Sequence, residues 1–472
     1  MPTNSRFFIF FLSLIALPAF SQTADFQSAY NALAHFDQPQ TQRICKELPV
    51  GPKQYFTSLS FVSDILIQDQ PAYFEKMAEQ ENILLEELHA LPPTDQFIYQ
   101  QEIKLHWALL RLKYNHEIAG GWQLYKIFKQ QRKFLKQHPH DYRAYKNIGV
   151  FEVAFSMIPS KYLWITQTLG IPKGDFSKGI SALHLAQKSE FAYESLLLES
   201  LVYHFLAHEE QTAISLCPPK DPLHRYFRAL MLKKNRQSEE ASALFLQDNL
   251  QQKLPIIDLH LGDLALRAGE YKAAIGYFNA FNGRKGDAFK ADATYKMAMA
   301  YLFLKQRKEA ESLLKKIKLL PADTYADRYA HAQADLPLPN THLQQARYFL
   351  DGGYWQKARL CLDNIDPNSL ATNELQTTYW YRKGQYFELT AQPEKAVGAY
   401  LQVIEAQQHL PLYFAPSACL KLGEIYEGRQ DYPSAKSFFE QVSDYTGHPY
   451  KKSLDQKANA ALSQLKEKRK HQ

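Results

Sequence analysis

The chain has 472 residues, enough for two or three domains or for one long repeat array. With 46% hydrophobic and 22% charged residues and a mean hydropathy of −0.40, it has the make-up of a folded, soluble protein and not of a disordered one. A formal charge of +6 is too small over this length for the basic stripe of a nucleic-acid binder, so no nucleic-acid partner is expected. The basic run Lys466 to Lys470 reads as a solvated terminus.

At the N-terminus, Arg6 precedes the apolar stretch Phe7 to Leu17, which ends at Pro18-Ala19-Phe20-Ser21-Gln22. A positive start, a short apolar core and small residues at −3 and −1 describe a secretory signal peptide over 1–21, cleaved after Ser21. The run is shorter than the ~20 residues of a spanning helix, and an uncleaved anchor is the alternative. No Cys stands at the cleavage site, which disfavours a lipoprotein. The ending, with Gln22 at the mature start, resembles secretory leaders of the Bacteroidetes type. That resemblance implies an exported chain, periplasmic or outer-membrane associated in a Gram-negative bacterium.

Residues 22–190 read as a divergent helical domain. One helix is expected from Phe74 to Leu91, with Ile83, Leu84, Leu88 and Leu91 on one face and Pro92-Pro93 as the stop. A second starts near Thr94 as N-cap and continues through Trp107 and Leu112, and a third runs from Trp122 to Gln137. Strand-like alternation is nearly absent, and 19 Gly and 24 Pro are too few for an all-β chain of this length. Cys45, Cys217, Cys361 and Cys419 are far apart without a CxxC spacing, and read as buried free thiols, although export would permit a disulfide.

Residues 191–465 carry repeats. Leu422-Gly423, Tyr426, Ala435 and Phe439 recur in spacing as Leu261-Gly262, Ala265, Ala274 and Phe278, and again as Met297-Ala298, Tyr301, Ala310 and Leu314. A small residue in the second helix of a pair lets the first approach, and a large one four positions on fills the space beside it. The small residue returns as Ala274, Ala310, Ala358, Ala396 and Ala435, at intervals of 36 to 48 residues. The excess over a 34-residue period falls at Pro321 to Pro339 and Pro411 to Pro416, which read as longer connections. Weaker versions lie around Ala213 and at Ala229, Ala241 and Phe245, and a helix from about Leu454 to Lys468 would cap the array. The spacing, with the turns Gly269-Glu270-Tyr271 and Gln430-Asp431-Tyr432, resembles the tetratricopeptide repeat (TPR) family. The resemblance implies an all-α fold: a right-handed superhelical solenoid with a divergent N-terminal region.

The stretch 147–183 differs from a repeat: an apolar helix, a Pro stop, an aromatic-apolar helix and a glycine-rich loop. Gly149, Phe151, Ser156, Pro159, Leu163, Gly170, Asp175 and Gly179 match, in order, the central hairpin of the eukaryotic inclusion-body clearance TPR family, whose members are also described as mitochondrial outer-membrane proteins. One extra residue separates Gly170 from Gly174. The resemblance implies a helical interaction protein linked to membranes. Phe151, Phe155, Tyr162 and Trp164 are then candidates for a membrane-facing or partner-facing wedge. The alternative is an internal packing hairpin, with only Glu152 and Lys161 charged.

No phosphate-loop, nucleophile-elbow or metalloprotease motif occurs. His204 and His208, at i and i+4, could share a helix face and a cation, but no third ligand is evident and a surface pair is the expected reading; no metal or other cofactor is expected. Glu86-Glu87 and Glu209-Glu210 read as solvated helix faces. The TPR resemblance implies a concave face lined by the first helix of each pair: Asp263, Arg267, Tyr295, Phe303, Arg347, Tyr381, Gln385, Glu388, Glu424 and Glu427. Their mixture suits capture of an extended peptide or a helix. The expected function is a non-catalytic protein–protein interaction scaffold of unknown partner and oligomeric state. The alternatives are an envelope-assembly or nutrient-uptake accessory protein with peripheral membrane contact, and a helical-solenoid enzyme acting on envelope polymers.

Overall fold

The computed structural model describes residues 24–158, 173–284, 286–407 and 410–468. Every element among them is helical, and none is long and apolar enough to cross a membrane. The described residues form two compact units, the first of 24–158, 173–260, 280–284 and 286–290 and the second of 261–279, 291–407 and 410–468.

The second unit is built from helix pairs. Tyr271–Asn282 follows Ile256–Ala268, Arg307–Ile317 follows Lys290–Phe303, and Trp355–Asp363 follows Thr341–Gly352. Pro393–Gln407 then follows Asn373–Leu389, and Tyr432–Gln441 follows Phe414–Gly428. Each expected alanine, Ala274, Ala310, Ala358, Ala396 and Ala435, is completely buried in a second helix. Glycine in the first helix meets an aromatic of the second. A Cβ on Gly262 would stand 2.6 Å from the Phe278 ring, one on Gly384 2.5 Å from Tyr400, and one on Gly423 would strike Phe439. The glycines therefore seat the ring of their own pair. Side-chain caps set several starts, with Asn340, Thr372 and Asp431 each accepting from a backbone N–H three residues on.

The stretch Pro321 to Pro339 is not a plain connection. It holds an additional helix, Tyr325–Ala334, started by a capping box in which Thr324 and Asp327 bond reciprocally. Pro416 likewise lies within the first turn of Phe414–Gly428, where a missing N–H costs nothing. The last helix, Lys451–Lys468, lays Leu454, Ala458 and Leu465 over Cys419, Phe439 and Val442.

In the first unit, the pairs Pro222–Lys234 with Ser238–Phe245 and Ala192–Val202 with Glu210–Leu216 bury Ala229, Ala241, Phe245 and Ala213, as the weaker spacing suggests. Further upstream the expected boundaries shift. The segment 74–91 is not one helix but Pro71–Met77, Gln80–Glu86 and a 3-10 turn, Glu87–Ala90. Leu84 and Leu88, four apart, stay buried, whereas Ile83 rotates off that face and is 46% exposed. The next helix is Pro93–Lys113, with Pro93 and not Thr94 setting its start, and the third begins at Glu117. Cys45, Cys217 and Cys419 are buried free thiols and Cys361 is half-buried.

The helices Tyr145–Ser156 and Phe176–Ala186 cross at paired glycines: a Cβ on Gly149 would sit 2.8 Å from the Gly179 carbonyl oxygen, and one on Gly179 2.5 Å from Val153. Asp175 caps the second helix through the Lys178 N–H. Phe151 is buried, and its ring and that of the half-buried Phe155 pack on Phe128. Tyr162 and Trp164, with Pro159, Leu163 and Gly170, lie outside the described residues.

Gly384→Ala should lower the urea midpoint, by about 1–3 kcal/mol of overpacking against Tyr400. Gly398→Ala, whose Cβ would meet nothing within 4 Å, should raise it by about 0.5–1 kcal/mol of helix propensity. Equilibrium unfolding of both variants checks the opposite signs; a Gly384→Ala protein as stable as wild type would refute the seating.

Candidate functional site

Four of the ten expected partner-binding residues converge. Asp263 and Arg267 from Ile256–Ala268, Tyr295 from Lys290–Phe303 and Arg347 from Thr341–Gly352 line one cleft of about 250 Å³ in the second unit. The same helices add Asp292, Lys296, Tyr348 and Asp351. The extra helix supplies Tyr325 and Tyr329, and Tyr450 precedes the last helix.

The charges balance, three carboxylates against three cations, but unevenly. Lys296 stands 3.2 Å from Asp263 and 2.9 Å from Asp292, tying two successive pairs together. Burial works to lower its ammonium, yet Asp263 and Asp292 outweigh it and hold it above the usual lysine range. Arg267 pairs with Asp263 at 2.8 Å and donates to the Asp351 carbonyl at 2.9 Å. Arg347 is served less closely: it donates to the Tyr329 hydroxyl at 3.2 Å, and its carboxylate neighbour Asp351 is 3.8 Å away. Tyr295 and Tyr348 are buried, which pushes both phenols up, and Tyr295 meets Tyr329 edge to face at 6.2 Å between centroids. A guanidinium with spare donors among phenol rings can take a carboxylate and stack an apolar group.

The other six lie elsewhere. Phe303 is buried between Tyr271 and Tyr348. Tyr381 is buried in a cluster with Tyr400 and Phe414. Gln385 accepts from Arg382 at 2.6 Å, and Glu388 accepts from the Tyr400 hydroxyl at 2.6 Å. Lys421 joins Glu388 to Glu424, and Glu427 is half-buried nearby on the Glu424 helix. Phe303, Tyr381 and Glu388 thus make contacts between helices, and Gln385 and Glu424 bond within their own.

The histidine pair does not share a helix face. His208 ends its helix at a φ of 60°, whereas His204 is buried and bonded to Glu210, which also pairs with Lys234. A surface pair and a solvated Glu210 are thus both corrected: the helix turns over five residues here, Tyr203–Ala207, and rotates His204 inward.

Sequence reasoning also passed over a buried ionic cluster in the first unit. Lys146 sits between Glu102, at 2.6 Å, and Glu194, and is 3% exposed. Glu194 also accepts from Tyr30 at 2.8 Å and from Tyr55, while Asn147 donates to Glu102 at 2.8 Å. Burial pushes Glu102 up to about 7 against the pull of Lys146. For Lys146, burial works downward and the two carboxylates prevail. A lone lysine within an apolar helix gives no sign of its partners, because they lie 44 and 48 residues away.

Lys146→Met should cost about 3–5 kcal/mol by leaving buried carboxylates unpaired. A carboxyl raised in the folded state, as Glu102 is, adds stability below its unfolded value and loses it as pH rises through 7. The deficit of the variant should therefore be larger at pH 8 than at pH 5, and thermal melts at the two pH values test this. An equal deficit at both would refute the assigned pairing.

No family model matches the chain, and no curated protein matches it. Among solved structures it is similar to the TPR domain of P58(IPK), with a TM-score of 0.22 and 16% identity, over 83% of this chain and 97% of that one. It is also similar to the APC/C hetero-tetramer Cut9–Hcn1, with a TM-score of 0.22 and 10% identity, over 98% of this chain and 100% of that one. The second unit is a run of helix pairs, each with a buried alanine in its second helix and three of them with a glycine beneath a ring.

Proposed function

We propose that the chain is a non-catalytic interaction scaffold whose second unit captures a partner peptide or protein segment in the cleft around Arg347. The observation that carries this reading is the uneven neutralisation of the cleft. Lys296 and Arg267 are held by close carboxylates, and Arg347, flanked by Tyr329 and Tyr348, is left with donors to share. Arginine and tyrosine in a concave site are the residue types that carry most interface energy. A cleft of about 250 Å³ accommodates one or two side chains, not a folded domain, so the recognised feature is an acidic residue or a terminal carboxylate beside an apolar one.

Panning a displayed random-peptide library on the protein tests it. The expected outcome is an enriched consensus with an acidic position, bound at least tenfold more weakly by Arg347→Ala and unaffected by Lys436→Ala, a change on an exposed face of Tyr432–Gln441. A consensus without acidic residues, or one indifferent to Arg347, would overturn the proposal.

We further propose that the chain is exported, from the leader-like sequence at 1–21, which lies outside the described residues. Expression of the full chain in a Gram-negative host should yield a mature protein starting at Gln22 in the periplasmic or outer-membrane fraction. An intact-mass measurement that finds Met1 retained on a cytoplasmic product would reject export.

A further inference from the structure

The first unit holds a second cavity, also about 250 Å³, lined by residues of Pro93–Lys113, Glu117–Gln137, Tyr145–Ser156 and Ala192–Val202. Its wall is apolar: Leu105, Leu109, Leu124, Val150, Phe155 and Leu198. One end is the ionic cluster of Glu102, Lys146 and Glu194, and Gly121 lies on its lining in an exposed turn of helix. The volume exceeds the ~150 Å³ of an apolar cavity that takes benzene and corresponds to roughly ten heavy atoms.

Two features of the polar end fix what it would accept. Two carboxylates face a single ammonium there, and His106, also on the lining, is kept neutral because burial and Lys146 push it well below its usual range. Above pH 7, where Glu102 is ionised, the end therefore carries one uncompensated negative charge. Asn147, 1% exposed, lines the same end, and its Oδ1 has no hydrogen-bond partner among the described residues, while its Nδ2 donates to Glu102. An orphaned acceptor beside excess negative charge calls for a donor that is also a cation. A carboxylate head would add a third negative charge around Lys146, which already has two.

We propose that this cavity binds a small amphipathic amine, a primary ammonium head at the Glu102–Asn147 end and an aliphatic chain of about eight carbons along the leucine wall. This goes beyond the peptide-capture reading and is independent of it, since it concerns the other unit.

The test is isothermal titration of the full chain at pH 8, below micellar concentrations, with octylamine, octanol and octanoic acid; an alkylamine is protonated there, as lysine is. Octylamine is expected to bind with one site, at least tenfold tighter than octanol, and octanoate to give no saturable heat. Ala154→Phe, which fills the cavity from Tyr145–Ser156, should abolish octylamine binding. Gly121→Phe, whose Cβ meets nothing within 4 Å, should weaken it at least tenfold without strain at the backbone. Thermal melts establish that both variants are folded. Octanoate or octanol binding as tightly as octylamine, no octylamine binding to the wild type, or undiminished binding by a folded Ala154→Phe protein would each overturn the proposal.

Discussion

Close approach of two helices at a residue without a side chain is the constraint on which the second unit depends. Gly262, Gly384 and Gly423 each lie beneath an aromatic ring from the following helix, and Ala274, Ala396 and Ala435 stand one turn before those rings. A buried aromatic removes 150–250 Å² from water, roughly 4–6 kcal/mol per ring as an upper estimate. The ring can be buried only if the first helix offers a hole of the right size. Each of these three pairs thus has one favoured rotation about its axes, and that rotation decides which residues of the first helix face away from its partner. Asp263 and Arg267 come from a pair seated in this way, Lys296 and Arg347 from the pairs of Ala310 and Ala358, and the four meet in one cleft.

Lys296 adds a second constraint. By contacting Asp263 from the preceding pair and Asp292 from its own, it ties the register of two pairs through charge as well as through packing. Buried ion pairs of this kind recover little net stability after desolvation, but they penalise any arrangement that separates them. The cluster of Lys146, Glu102 and Glu194 imposes the same penalty in the first unit, where it holds together helices distant in the chain.

The fold of the second unit was legible in the sequence because its rule is local. An alanine and a ring four residues apart fall on one helix face, and the motif repeats often enough to stand out from ordinary amphipathic pattern. Gly384 over Tyr400 obeys the same rule and was passed over, since the leucine that usually precedes the glycine is Lys383 here. The helix Tyr325–Ala334 was hidden between prolines, and with it Tyr325 and Tyr329 of the cleft. Of the site residues implied by the family register, Asp263, Arg267, Tyr295 and Arg347 come together; Tyr381, Gln385, Glu388 and Glu424 are engaged in contacts that the register alone could not distinguish from ligand-facing positions. In the first unit the long-range pairs of Lys146 and the five-residue turn at His204 leave no periodic trace, so neither could be read in advance.

The helix Lys451–Lys468 decides which face the pair before it presents to solvent. Its Leu454, Ala458 and Leu465 occupy the surface on which a sixth pair would otherwise dock, while Lys452, Lys457 and Lys466 are directed to solvent. A helix pair docking on the outside of this helix would have to bury those lysines, at a desolvation cost that the apolar inner face does not impose.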